Sequence, residues 1–200
     1  MIALIDYGAG NLTSVRKGLA AAGAEFFTPE TPRDLGRATA VVIPGVGNFG
    51  ATAALDDGWR QAILDGVASG RPLLGICLGL QYLFDGSEEA PGVRGLGLLR
   101  GRCTRLPATV KVPHVGWNSL TITRRANLTA GIEEGTQAYF THSYAAPVTS
   151  ACVAETSHGT TFAAIVEDGA VSGVQFHPEK SGTAGIALLR NFVASCSRNA

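Results

Sequence analysis

Cys77 is the residue of this chain whose neighbours most favour chemistry. It stands in Gly75-Ile76-Cys77-Leu78-Gly79, after an apolar run at 73–76 that predicts a buried strand and before a helical pattern carried by Leu80, Tyr82, Leu83 and Phe84. Strand, sharp turn and helix around such a residue form a nucleophile elbow, here with cysteine in place of serine. The turn holds the nucleophile in a strained backbone conformation and should lift its side chain clear of the sheet, while glycines two residues to either side let strand and helix approach closely. The helix N-terminus beside the sulfur favours the thiolate, and free backbone N–H groups after the cysteine can stabilise an oxyanion. The same pattern also fits a cysteine buried at a tight glycine turn, so a base is needed to decide.

Among four histidines, His177 is the outstanding base, because it continues from the end of the strand expected at 171–176 and is followed by Pro178 and Glu179. Proline biases the preceding residue towards an extended form, and residues i and i+2 of an extended segment point the same way. Glu179 would then reach the imidazole edge that does not face sulfur, fixing the tautomer and stabilising the imidazolium. His142 is a rival base but has no carboxylate two or three residues away. His114, after Pro113, is expected beside the surface, and His158 lies in a polar loop. Cys103, Cys152 and Cys196 have neither an elbow nor a nearby His-x-Glu, so they read as packing residues.

A second glycine-rich segment, Gly45-Val46-Gly47-Asn48-Phe49-Gly50, matches the dinucleotide fingerprint G-x-G-x-x-G, with Asp65 about 20 positions after its first glycine. That fingerprint wants its carboxylate at the end of the next strand, whereas Asp65 falls inside a helical pattern marked by Trp59, Ile63 and Val67. The other use of such a loop is to present N–H groups into the crevice at the carboxyl ends of parallel strands, where Cys77 also sits. There it would supply half of an oxyanion hole, each donor contributing about 2.7–4 kcal/mol to the barrier.

The elements that must position these groups alternate in the first half: strand at 2–5, helix at 12–22, strands at 25–28 and 41–43, then the helix around 59–67 and the strand at 73–76. This is the mark of a parallel sheet with crossover helices. After Gly86, strands are expected at 103–106, 118–123, 138–144, 151–155, 161–167 and 171–176, largely antiparallel, with a closing helix at 184–194. Neither a repeat nor a linker divides the 200 residues, so one α/β domain over 1–200 is expected. Sixteen basic and sixteen acidic residues leave no net charge, which disfavours nucleic acid as a partner. No apolar stretch approaches the roughly 18 residues of a membrane span, and no signal peptide is evident, so a cytoplasmic location with reduced cysteines is expected.

Gly75-Ile-Cys-Leu-Gly-Leu-Gln81 with His177-Pro-Glu179 resembles the class I (triad) glutamine amidotransferases. More narrowly, Asp6-Tyr-Gly-Ala-Gly-Asn11, Pro44-Gly-Val-Gly47, Lys111-Val-Pro-His-Val-Gly-Trp-Asn118, Tyr139-Phe-Thr-His-Ser-Tyr144 and His177-Pro-Glu-Lys-Ser181 are similar to the glutaminase subunits of imidazole glycerol phosphate synthases. Leu80, in place of a commoner methionine, and Val115 are mild departures. The resemblance implies a flavodoxin-like open sheet with helices on both faces and an antiparallel extension. It implies that Cys77, His177 and Glu179 form a catalytic triad releasing ammonia from glutamine through a thioester, without cofactor or metal. Gly45, Gly47 and Leu78 would frame the oxyanion, and Gln81, His142, Ser143 and Tyr144 would hold the glutamine head group. Asn11, Trp117 and Lys180 would face a cyclase subunit that receives the ammonia in histidine biosynthesis. The glutaminase of another biosynthetic amidotransferase is the alternative.

Overall fold

The computed structural model describes residues 1–196. Its first half lays down β1 (Ile2–Leu4), α1 (Leu12–Ala21), β2 (Phe26–Phe27), β3 (Ala40–Ile43), α2 (Asp57–Ala68), β4 (Leu73–Ile76) and α3 (Leu78–Leu83). The strands of this half pair in parallel, β1 with β2 and β3, and β3 with β4. The second half contains β5 (Gly86–Ser87), β6 (Arg102–Arg105), β7 (His114–Ser119), β8 (Thr121–Ile122), β9 (Gln137–His142) and β10 (Tyr144–Ala145). It closes with β11 (Cys152–Ser157), β12 (Thr161–Asp168), β13 (Val171–Val174) and α4 (Gly182–Cys196).

The main sheet has eight strands in the order β2-β1-β3-β4-β13-β12-β11-β8. Its five parallel strands therefore follow the 2-1-3-4-5 order of a flavodoxin-like sheet, as expected, and β12, β11 and β8 extend it antiparallel. β13 is the exception to the antiparallel back half: it lies parallel to β4, with Val174 opposite Ile76. A short β5–β6 pair is also parallel.

Both faces of the sheet are covered, which is why its central strands read as continuous apolar runs rather than alternating ones. Ile2 and Leu4 of β1 join Val15 and Leu19 of α1 and Leu188, Leu189 and Phe192 of α4 in one cluster. Ala3 and Ile5, pointing the other way, join Ile63 of α2 and Leu80 and Leu83 of α3 in the second. Capping sets where the helices begin: Asn11 Oδ1 accepts from Ser14 N at 3.2 Å, and Asp56 Oδ1 from Trp59 N at 3.0 Å.

Two strands expected as single runs are broken. The run expected at 118–123 begins earlier, at His114, and splits at buried Leu120, whose N–H donates to Thr136 O as the chain passes from one sheet to another. Likewise the run at 138–144 breaks at Ser143, so that β9 pairs with β7 in a separate two-stranded sheet while β10 pairs with β6. Short 3-10 turns at Pro32–Arg37, Phe49–Ala54 and Pro178–Lys180 complete the connections.

Candidate active site

β4 ends where Cys77 adopts φ 53° and ψ −102°, and among the described residues it is the one non-glycine with positive φ. Such a conformation costs on the order of 1–3 kcal/mol and persists only where its surroundings hold it. Here Cys77 N–H donates to Val174 O at 2.7 Å, and Cys77 O accepts from Gln81 N at 3.1 Å. A Cβ on Gly75 would strike the Gly79 backbone, and one on Gly79 would strike the Ile43 carbonyl, so both glycines are required by close approach. The side chain does not protrude as expected. Cys77 is 4% exposed and forms part of the wall of a cavity of about 270 Å³.

On the neighbouring strand, the chain leaves β13 and brings His177 beside this turn. His177 Nδ1–H donates to Glu179 Oε1 at 2.9 Å, both side chains being almost wholly buried. The expected i, i+2 alternation along an extended segment is not how they meet. His177 is extended, but Pro178–Lys180 is a 3-10 turn, and the pair closes across its first residues. Proline has pre-set the φ that starts this turn. Glycines of two helices seat it: a Cβ on Gly18 of α1 would come within 3.0 Å of Glu179 Cβ, and one on Gly185 of α4 would strike Pro178 O. Ser181 then locks the turn to β9, its hydroxyl donating to His177 O at 2.7 Å and accepting from Tyr139 N at 2.9 Å.

Burial by itself would lower the His177 pKa; the neighbouring Cys77 sulfur and the hydrogen-bonded Glu179 carboxylate more than offset it, carrying it up to about 10. An imidazolium beside the sulfur is therefore the favoured form at neutral pH. Its Nε2 is buried without a hydrogen-bond partner, and the Cys77 thiol instead donates to Thr141 O at 3.7 Å.

Of the groups expected around the oxyanion, Gly47, at φ 107°, and Leu78 line the cavity. Gly45 stands behind them, where a Cβ would strike the Tyr7 hydroxyl and meet Leu78 Cβ at 2.8 Å. Contrary to expectation, the Leu78 N–H is not free: it donates to Gly45 O at 3.3 Å. Gln81, His142, Ser143 and Tyr144 all line the cavity. Gln81 Nε2 donates to Tyr144 O at 2.8 Å and to Gln175 Oε1 at 3.4 Å, and Gln175 Nε2 in turn donates to Cys77 Sγ at 3.8 Å.

His142 is held by a chain of bonds that fixes its tautomer. Its Nδ1–H donates to Tyr144 O at 3.0 Å, so its Nε2 must accept, from His114 Nδ1–H at 3.1 Å; His114 Nε2 is left to accept from Asn118 Nδ2 at 3.3 Å. Burial, then the neighbouring His114, lowers the His142 pKa to about 3; burial, then His158, lowers that of His114 to about 4. His114 is thus not the surface residue expected from its place after Pro113 but 5% exposed, stacked on Phe140 and His158.

Thr141, within the segment 139–144 expected at the head group, also lines the cavity, as do Glu89 and Pro113, which were not expected there. Nothing in the sequence around Glu89 distinguishes it from a solvated carboxylate; its Oε2 accepts from Phe49 N at 2.7 Å across forty residues. Gln175 did carry a signal, as a polar residue in an apolar run two positions before the base. Asp65 lies on α2, where its carboxylate accepts from Gln61, away from any ribose-binding strand end.

Trp117 is 56% exposed and packs edge-on against Tyr139, with ring centroids 5.9 Å apart, while Lys180 Nζ stands 5.8 Å from the centre of the Tyr139 ring. The three lie together beside the His177 turn, Trp117 and Lys180 exposed and Tyr139 half-buried between them. Asn11 is exposed at the start of α1.

Comparison with known proteins agrees with this geometry. The model of the family "Glutamine amidotransferase class-I" matches residues 3–196. The imidazole glycerol phosphate synthase subunit HisH of Methanothermobacter thermautotrophicus is 47% identical over 96% of this chain and 98% of its own, and that of Halobacterium salinarum 48% over 98% and 94%. A crystal structure of a glutamine amidotransferase superposes with a TM-score of 0.77 over 98% of this chain and all of its own, at 18% identity. A strained cysteine between β4 and α3, a His–Glu pair just beyond the end of neighbouring β13 and a family match over nearly the whole length lead to one conclusion: the chain belongs to the class I glutamine amidotransferases.

Proposed function

We propose that this chain is the glutaminase subunit of an imidazole glycerol phosphate synthase, acting as one glutaminase domain that hydrolyses glutamine and passes the ammonia to a cyclase subunit. The observation that carries the proposal is the Cys77–His177–Glu179 arrangement within a chain 47% identical to HisH of Methanothermobacter thermautotrophicus. The Cys77 thiolate attacks the side-chain amide carbon, and the His177 imidazolium gives its Nε2 proton to the departing ammonia. The resulting glutamyl thioester is hydrolysed by water that His177 deprotonates; the thiolate leaves with glutamate released, and the thiolate–imidazolium pair is restored. Glu179 holds the imidazole tautomer and balances its charge throughout. Glu89 supplies a negative wall suited to the substrate's α-ammonium, and Gln81, His142, Ser143 and Tyr144 surround the head group.

Ammonia loses its nucleophilicity once protonated in water, so its use requires direct delivery. The patch of Trp117, Tyr139 and Lys180, with Asn11, supports docking of a cyclase subunit beside the triad. Among the described residues no helix is long and apolar enough to cross a membrane, and we place the reaction in the cytoplasm. The test is glutamate release from glutamine, with and without the cyclase subunit and its ligand. Wild type is expected to release glutamate and Cys77→Ala to release none while keeping its circular dichroism. Activity in Cys77→Ala removes the nucleophile, and failure to recover a complex with the cyclase assigns the chain to another amidotransferase.

A further inference from the structure

Gln175 is wholly buried, and its amide lies between two groups of the site, the sulfur of Cys77 at the start of α3 and the side chain of Gln81 one turn later. Its Nε2 faces Cys77 Sγ at 3.8 Å, and its Oε1 faces Gln81 Nε2 at 3.4 Å. Its own backbone N–H is held by Ala164 O on β12 at 2.9 Å, so the side chain projects from a fixed point of the main sheet. We infer that Gln175 is a positioning residue of the glutaminase reaction, one amide that both steadies the Cys77 thiolate and sets which face of Gln81 meets the substrate.

The orientation of the Gln175 amide follows from its neighbours. Gln81 Nε2 already donates to the Tyr144 carbonyl at 2.8 Å, so the Gln81 amide nitrogen points towards Gln175 and must meet an acceptor there. That acceptor is Gln175 Oε1, which leaves the Gln175 NH₂ group directed at the sulfur. A thiolate carries acceptor lone pairs and negative charge, and a buried amide N–H aimed at it stabilises it relative to the thiol. Reciprocally, with both Gln81 N–H groups committed, to Tyr144 and to Gln175, the Gln81 carbonyl oxygen is the group left to face the cavity. Gln81 is thereby an acceptor towards substrate, suited to a carboxamide or ammonium donor and not to a carboxylate. Through this one amide the site would prefer glutamine to glutamate and arm the sulfur together.

The inference rests on the glutaminase reading, and its test separates the two. Cys77 alkylation by iodoacetamide is followed against pH by peptide mapping in the full chain with its cyclase partner, alongside kcat and KM for glutamine. Gln175→Met keeps the length of the side chain and loses both hydrogen bonds. It is expected to raise the pH midpoint of alkylation by about one unit, the size of one hydrogen bond to a charged group, and to raise KM about tenfold. Gln175→Glu keeps an acceptor for Gln81 but, when ionised, sets a negative charge against sulfur. It is expected to raise the alkylation midpoint further while leaving KM within about threefold of wild type. This variant preserves shape and so guards against a misfolded Met variant, with thermal melts checking both. Alkylation and KM unchanged in both variants, in a wild type that hydrolyses glutamine, overturn the inference; equal rises in KM for the two variants overturn the Gln81 half. A wild type that releases no ammonia overturns the glutaminase reading instead, while the alkylation profile still reports on the contact with sulfur.

Discussion

His177 and His142 are both buried, stand within one site and are driven in opposite directions by what surrounds them. His177 stands against the Cys77 sulfur and the Glu179 carboxylate, which outweigh its burial, so its proton is held up to about 10 against 6.5 for a free imidazole. The stability it contributes is complete below about 6.5 and is lost as pH rises through about 10. Glu179→Gln removes one of those partners. It is expected to lower kcat at least 100-fold and to slow iodoacetamide labelling of Cys77 at pH 7, since the orienting carboxylate of a triad contributes on that scale. His142 is buried among other imidazoles, with no carboxylate of the described residues beside it, and its value falls to about 3. Below pH 6.5 the unfolded chain takes up a proton that the folded chain refuses, so stability declines as pH falls from about 6.5 towards 3. Urea unfolding midpoints between pH 7 and 4 should show that decline, and His142→Gln, which cannot charge, should flatten it. A variant as acid-sensitive as wild type would remove His142 from this role.

At the scale of elements, the elbow was legible because its requirements are written in residue types. Only glycine fits at 75 and 79, where backbones meet, and β4 and the helix after it announce themselves by apolar pattern. Gly79→Ala is expected to destabilise the fold by more than about 3 kcal/mol, or to prevent expression, because its Cβ has no space beneath Ile43. Asn11→Ala, at an exposed cap, should cost about 1 kcal/mol by denaturant unfolding. The His177 turn was legible in its residues but not in its shape. Pro178 favours extension in the residue before it and a helical start at its own position, and Gly18 of α1, which helps admit the tighter form, is distant in sequence. The split of the runs at Leu120 and Ser143 was hidden for a similar reason, since both segments keep strand composition across the point where their partners change. Glu89 and His114 could not be placed from sequence, because tertiary pairing with Phe49 and with His142, and not local pattern, determines where they lie.

Across the whole molecule, the Trp117–Tyr139–Lys180 patch and the buried triad are linked by short connections through Ser181 and β9. Trp117→Ala is expected to weaken complex formation with the cyclase subunit about tenfold or more in Kd by titration calorimetry, the loss of a buried aromatic anchor. A wild-type Kd for this variant would move the docking surface elsewhere. The Leu78 N–H held by Gly45 O makes a second expectation. An unpartnered chain should turn glutamine over slowly, and glutamate release should rise at least 100-fold when the docked cyclase frees that donor, the scale of one oxyanion contact. The pairing of β13 beside β4 bears on where such control can act. Sulfur and imidazole leave the ends of two paired strands, and the backbone of each is tied down, Cys77 N–H to Val174 O and His177 N–H to Tyr139 O, so the points that carry them move only if the fold does. A throttle on this catalyst therefore cannot work by spreading its nucleophile from its base; the adjustable part is the glycine loop, and the rate should vary over decades while the reactive pair keeps its spacing.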